Sequence, residues 1–349
     1  MDDRSSAKSD PARATAAPVL VEVTRGGMVE SRHRGIAAVA TSDGRLVEAW
    51  GEVATPVYAR SAWKPIQALA LVESGAADAL GVSPAELALA CGSHGGEPGH
   101  VAAVDAWLTR IGCSEADLVC GGHLPGHPPA AEALLRAGGA VRPVHDNCSG
   151  KHAGFLTVAR HLGHPTEGYA RLEHPVQQRV LGIVEQLTGL ELGQAPRGID
   201  GCGVPVVGVP LGTLAGARAR FGRADALPDR RAAAALRLRQ AMAAHPFMVA
   251  GSGRFGTEVL RVLGRSVCLK TGAEGVFMAA LPDLGLGLAL KIMDGAGRAA
   301  EVAVLRLLDR LGVLDAGQRR RLARFATAPV RDRAGRAVGE IRIAADGPL

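Results

Sequence analysis

Five lysines stand among the 40 cationic residues of this chain, and three of them fall in stretches whose residue types suit nucleophilic or metal chemistry. The first is Arg60-Ser61-Ala62-Trp63-Lys64-Pro65. Residues three apart share a helix face, so the Ser61 hydroxyl and the Lys64 amine could meet at a first turn, and Pro65 is tolerated only near a helix start. A serine needs a partner base to attack a carbonyl, and a desolvated lysine can be that base. The spacing alone is common; Ser5 and Lys8 repeat it near the N-terminus. The second stretch is Lys270-Thr271-Gly272-Ala273-Glu274-Gly275, at the end of a strand-like run. Ser-x-x-Lys followed by Lys-Thr-Gly is the order found in penicillin-recognising serine hydrolases. The Ser-Asp-Asn that lies between them there is missing here. Its place is taken by Cys91-Gly92-Ser93-His94-Gly95-Gly96, where Ser93 could act as the middle serine.

The third stretch is Asp146-Asn147-Cys148-Ser149-Gly150-Lys151-His152, with Asp200-Gly201-Cys202-Gly203 further on. Two thiolates from separate loops, with a nearby imidazole, could hold zinc. On residue chemistry the donors are Cys148, Cys202 and one of His145 or His152; packing is the competing account of both cysteines. Cys113, Cys120 and Cys268 lack such partners. Arginine at positions 64, 151 or 270 would stay protonated, unable to serve as a base or to offer a lone pair to a metal. Lys291 falls on a late strand with no role that the sequence assigns.

The elements that must position these residues are strands at 19–24, 35–41 and 46–50, the last two joined by Ser42-Asp43-Gly44. Helices are expected at 61–74, 83–90, 98–112, 128–137, 150–162, 174–188, 209–220 and 227–244. Strands return at 265–271, 275–281 and 286–293, then helices at 297–312 and 316–326 and a last strand at 338–344. Strands at both ends and helices in the middle predict an α+β fold, an antiparallel sheet built from both termini with a helical insertion. Residues 1–18 read as a disordered tail and 19–349 as a single catalytic domain.

Composition narrows the function. Apolar runs are broken by Gly, Pro and charge well short of the roughly 20 residues of a membrane span. The N-terminus has no apolar core of an export signal, and six cysteines in so long a chain argue for a reducing cytoplasm over a disulfide framework. The net charge of +6 and the Arg-rich stretch 319–336 come without zinc-finger spacing or stacking aromatics, so no nucleic-acid partner is expected.

Taken together, the segments Arg60–Gln67, Cys91–Gly96, Asn147–His152, Asp200–Pro205 and Lys270–Val276 resemble the asparaginase II family, the rhizobial-type (class 3) L-asparaginases, across residues 19–344. The resemblance implies a fold like that of serine β-lactamases and glutaminases. It implies two Ser–Lys tandems, Ser61 with Lys64 and Ser93 with Lys270, and substrate contacts from Arg60, Asp200, His152 and Gly272. It further implies a zinc ion held by Cys148, Lys151 and Cys202, which replaces the histidine of the residue-based choice, and a homodimer. The chain departs from related sequences at Gly256, where some carry a cysteine. The expected activity is hydrolysis of L-asparagine. A glutaminase or β-lactamase-like hydrolase, and a non-catalytic zinc-stabilised binding protein, are the alternatives.

Overall fold

A computed structural model describes residues 17–349, so residues 1–16 of the expected tail lie outside the described residues. The strands are β1 (Val19–Arg25), β2 (Met28–Thr41), β3 (Leu46–Trp50), β4 (Pro56–Tyr58), β5 (Arg197–Ile199), β6 (Pro205–Pro210), β7 (Cys268–Thr271), β8 (Val276–Leu281), β9 (Leu286–Ile292), β10 (Ala328–Arg331) and β11 (Ala337–Ile343). The main sheet runs β10-β11-β1-β2-β9-β8-β7, with β3 also on β2, and all its pairs are antiparallel. This is the α+β architecture that the order of elements predicts, closed by strands from both ends of the chain.

β2 is twice the expected length because its two halves obey different rules. Residues 28–34 are polar and largely exposed and pair with β1, whereas Ile36–Ala40 are buried and pair with both β9 and β3. A strand covered on both faces reads as a continuous apolar run, so only the second half stands out in the sequence. Gly35 marks the junction: a Cβ there would lie 2.7 Å from a Leu20 methyl and 2.9 Å from the Lys291 carbonyl. Helix Leu211–Gly222 lies against β2, β8 and β9, and helix Gly297–Arg310 against β1, β9 and β11.

Most expected helices are present within a residue or two at their ends. The one expected at 61–74 is instead a 3₁₀ turn, Arg60–Trp63, followed by short helices Lys64–Gln67 and Leu69–Glu73. The helix expected from 209 starts at Leu211, because Pro205–Pro210 is a strand. That strand joins β4 and β5 in a second sheet of order β4-β6-β5. Its three-residue partners are too short to show periodicity, so this sheet was not anticipated.

Candidate active site

The small sheet is what brings the first and third chemical stretches together. β4 leads directly into the Arg60–Trp63 turn, and the β5–β6 hairpin carries Asp200–Val204 at its tip. Because β4 and β5 flank β6, Arg60 meets Asp200 across 140 residues of sequence: its guanidinium donates to the Asp200 carboxylate at 2.8–2.9 Å. Burial works against ionisation of Asp200, but the Arg60 hydrogen bond together with the charges of Lys151 and Arg60 outweighs it and holds the carboxyl below the ordinary carboxylate range. Arg60 has φ +50°, in the left-handed region that costs an L-residue about 1 kcal/mol or more. The ion pair holds that backbone kink, and the next residue is Ser61.

The end of β7 completes the same wall. A Cβ on Gly272 would lie 2.7 Å from the Ala59 carbonyl, so glycine is what lets the Lys-Thr-Gly segment pack against the turn bearing Ser61. Together with the loops at Ser93, Asp146–Cys148, Asp200–Cys202 and Arg254, these segments enclose a cavity of about 370 Å³. Ser61, Ser93, Arg60, Asp200, Gly272, Cys148 and Cys202 all line it.

Next to this cavity Ser93 joins two buried amines. Lys64 Nζ donates to Ser93 Oγ at 3.0 Å and to the carbonyls of Gly92 and Asn147; Lys270 Nζ donates to the same Oγ at 2.9 Å and to the Thr271 carbonyl at 2.6 Å. Burial, and after it the nearby charges of Lys64 and Arg254, drives the Lys270 amine well below the ordinary lysine range. A neutral amine in hydrogen-bond reach of a serine is a competent general base. Among the described residues no hydrogen bond joins Ser61 to Lys64, so the expected first-turn pairing is replaced by one between Lys64 and Ser93.

Behind the other side of the cavity lies a cluster of different sign. Cys148 precedes helix Ser149–His161, Lys151 sits in its first turn, and Cys202 comes from the β5–β6 hairpin. Lys151 Nζ donates to Cys202 Sγ at 2.9 Å. The neighbouring Cys202, with Lys64 and Lys151 nearby, holds the Cys148 thiol well below its usual range, while the neighbouring Cys148 and burial push Cys202 up. For Lys151, burial pulls downward, but the sulfurs of Cys148 and Cys202 and the Asp200 carboxylate outweigh it and raise its basicity. Among the described residues no three His, Cys, Asp or Glu side chains are grouped to hold a metal ion. Counting the lysine, however, two sulfurs and one nitrogen converge, a donor set that fits zinc.

Two residues singled out in the sequence lie elsewhere. His152 does not line the cavity; it is fully buried behind it, with Nδ1 2.6 Å from the Tyr169 hydroxyl, and burial lowers its basicity. His145 is buried against the backbone of Arg142. Conversely, Arg254, Asn147, Asp146 and His123 line the cavity and were not expected there. Asp146 and Asn147 at least lie in a flagged stretch; Arg254 is one of 35 arginines and gives no local signal. Lys291, without a role in the sequence, donates to the carbonyls of Glu274 and Ile292 at 2.6 and 2.7 Å and so holds the turn after Thr271.

No curated protein shows a significant match to the chain. Among solved structures, Mglu in its native form aligns with a TM-score of 0.45 and 17% identity over 81% of this chain and 66% of that one. Mglu in its glutamate form aligns with a TM-score of 0.35 and 15% identity over 88% and 64%. The chain thus spans just under two thirds of those proteins. The family model for L-asparaginase II matches residues 21–343, which contain every element of both sheets except the first two residues of β1. The chain belongs to the L-asparaginase II family.

Proposed function

We propose that the protein hydrolyses the side-chain amide of L-asparagine to L-aspartate and ammonia through an acyl-enzyme. The observation that carries this reading is the Ser93 hydroxyl held between Lys64 and Lys270 next to a cavity that Ser61 also lines. Ser61, half-buried on the cavity wall, attacks the amide carbon. Its proton passes to the lysine pair, where Ser93 links the two amines. The tetrahedral intermediate collapses, the C–N bond breaks, and ammonia leaves with a proton returned from a lysine. Water then repeats the sequence and releases aspartate. The Ser61 backbone N–H is suited to stabilise the oxyanion.

Cys148, Lys151 and Cys202 would hold zinc. A zinc ion there supplies fixed positive charge that orients the substrate, while the lysine pair handles the proton. This donor set and the Ser93 hydroxyl shared by Lys64 and Lys270 support placement with the rhizobial-type (class 3) enzymes, and with it a homodimer. Six cysteines, all free, suit a cytoplasmic protein. Asparagine and glutamine differ by one methylene, worth about 1–3 kcal/mol in a pocket, so ammonia release is to be measured with both.

A second reading has Ser93 as the nucleophile, because it is the serine with both amines in hydrogen-bond reach. Rapid quench of the enzyme with L-asparagine, followed by peptide mapping of the acyl adduct, separates the two. The adduct is expected on Ser61, and Ser61→Ala should abolish turnover while the fold stays intact. An adduct on Ser93, or wild-type turnover by Ser61→Ala, would overturn the assignment.

A further inference from the structure

Two arginines line the cavity, and they differ in what already occupies them. Arg60 is committed to Asp200. Arg254 forms no salt bridge among the described residues, although it follows a loop built to hold it in place. That loop, Gly251-Ser252-Gly253, has φ +100° and +67° at its two glycines, and a Cβ on Gly251 would lie 2.6 Å from Glu97 Oε1. The buried Glu97 carboxylate accepts the Ser252 N–H at 2.8 Å and the Ser252 hydroxyl at 2.7 Å. Burial opposes its ionisation, but these two bonds prevail and keep it below the ordinary carboxylate range. The clamp therefore fixes the backbone immediately before Arg254. From there Arg254 Nη1 donates to the Ser93 carbonyl at 3.0 Å and to the Ala250 carbonyl at 3.2 Å. One corner of the guanidinium is thus tied down beside the serine that bridges the lysines. Its remaining N–H groups have no hydrogen-bond partner among the described residues.

A planar guanidinium with one corner anchored and the rest without partners is preorganised for a carboxylate, which it can meet in a fork that an ammonium cannot reproduce. Arg254 is exposed where it lines the cavity, so an incoming anion can reach these N–H groups. We propose that Arg254 binds the α-carboxylate of the amino-acid substrate, with Glu97 and Ser252 as the residues that position it. The inference rests on the amino-acid amidohydrolase reading above and adds the group that selects an amino acid over a simple amide.

The test compares wild type with Arg254→Met and Arg254→Lys, both checked for wild-type thermal unfolding. Steady-state ammonia release from L-asparagine is measured, and L-aspartate binding is followed by calorimetry. Arg254→Met is expected to raise KM about 100-fold and weaken L-aspartate binding similarly, with kcat changed less than about fivefold; Arg254→Lys should show about a tenfold effect. An unchanged KM, or a fall in kcat alone, would overturn the proposal. If Arg254→Met does not fold, the Lys variant decides by the same criterion. If wild type releases no ammonia from L-asparagine, the amidohydrolase reading fails, and the binding data still decide this one: L-aspartate bound by wild type and lost in Arg254→Met supports it, while equal binding or none overturns it.

Discussion

Lys270 and Lys151 are both buried near one cavity, yet their surroundings drive them in opposite directions. Burial disfavours the charged form of each. At Lys270 the next neighbours are cations, Lys64 and Arg254, and the amine is pushed well down. At Lys151 the neighbours are two sulfurs and a carboxylate, and the ammonium is favoured despite burial. Desolvation is common to both, so the sign of the partners decides which amine is driven toward the neutral form and which toward the charged form. A metal ion can take the place of the Lys151 positive charge between the two sulfurs, provided the amine gives up its proton to become a ligand.

The largest effect is expected from the base side. Lys270→Met should lower kcat by about 10³-fold or more, in the upper part of the range for loss of a general base. Lys270→Arg should not rescue it, because a guanidinium stays protonated. Ammonia release checks both, and wild-type activity in Lys270→Arg would break the contrast. On the metal side, Cys148→Ala should strip zinc, read by elemental analysis, and raise KM about tenfold with a smaller change in kcat, the lower end of the loss expected when a metal site is disturbed. Unchanged zinc content would remove Cys148 from the ligand set.

The smallest effect sharpens the contrast by pH. Because the native pKa of Lys270 lies below its unfolded value near 10.4, the unfolded chain binds a proton that the native state lacks. Its contribution to stability is therefore fully present above about pH 10.4 and is lost as pH falls toward the native pKa. Denaturant melts across this window should show a shallower rise of stability with pH in Lys270→Met than in wild type. The rate should likewise fall as pH drops through the Lys270 pKa. A stability slope identical in the two proteins would show that Lys270 is charged in the native state.

Particular residues show how far the sequence could be read. Ser61, Ser93, Lys270, Cys148, Lys151 and Cys202 are legible because serine, lysine and cysteine stand out in an Ala-, Val- and Leu-rich chain with so few lysines. Their partners are less so. Lys64 pairs with Ser93 rather than Ser61, because the 3₁₀ turn and the loop after helix Pro84–Ala90 decide where the long side chain reaches. His152 shares a matched segment with Lys151, yet it turns inward to Tyr169, since adjacent residues on a helix point 100° apart.

Local sequence determined which residues could do chemistry, the antiparallel sheet from both termini and the helical middle, because side-chain type and short-range periodicity are properties of neighbours in the chain. The tertiary structure decided the Arg60–Asp200 pair, the Ser93 bridge, the opposite biases of Lys270 and Lys151, and the exposure of Arg254 to the cavity. Each depends on segments from 29 to 177 residues apart. Charge state and hydrogen-bond partnership are set by what lies within a few ångströms in space, and only folding specifies that.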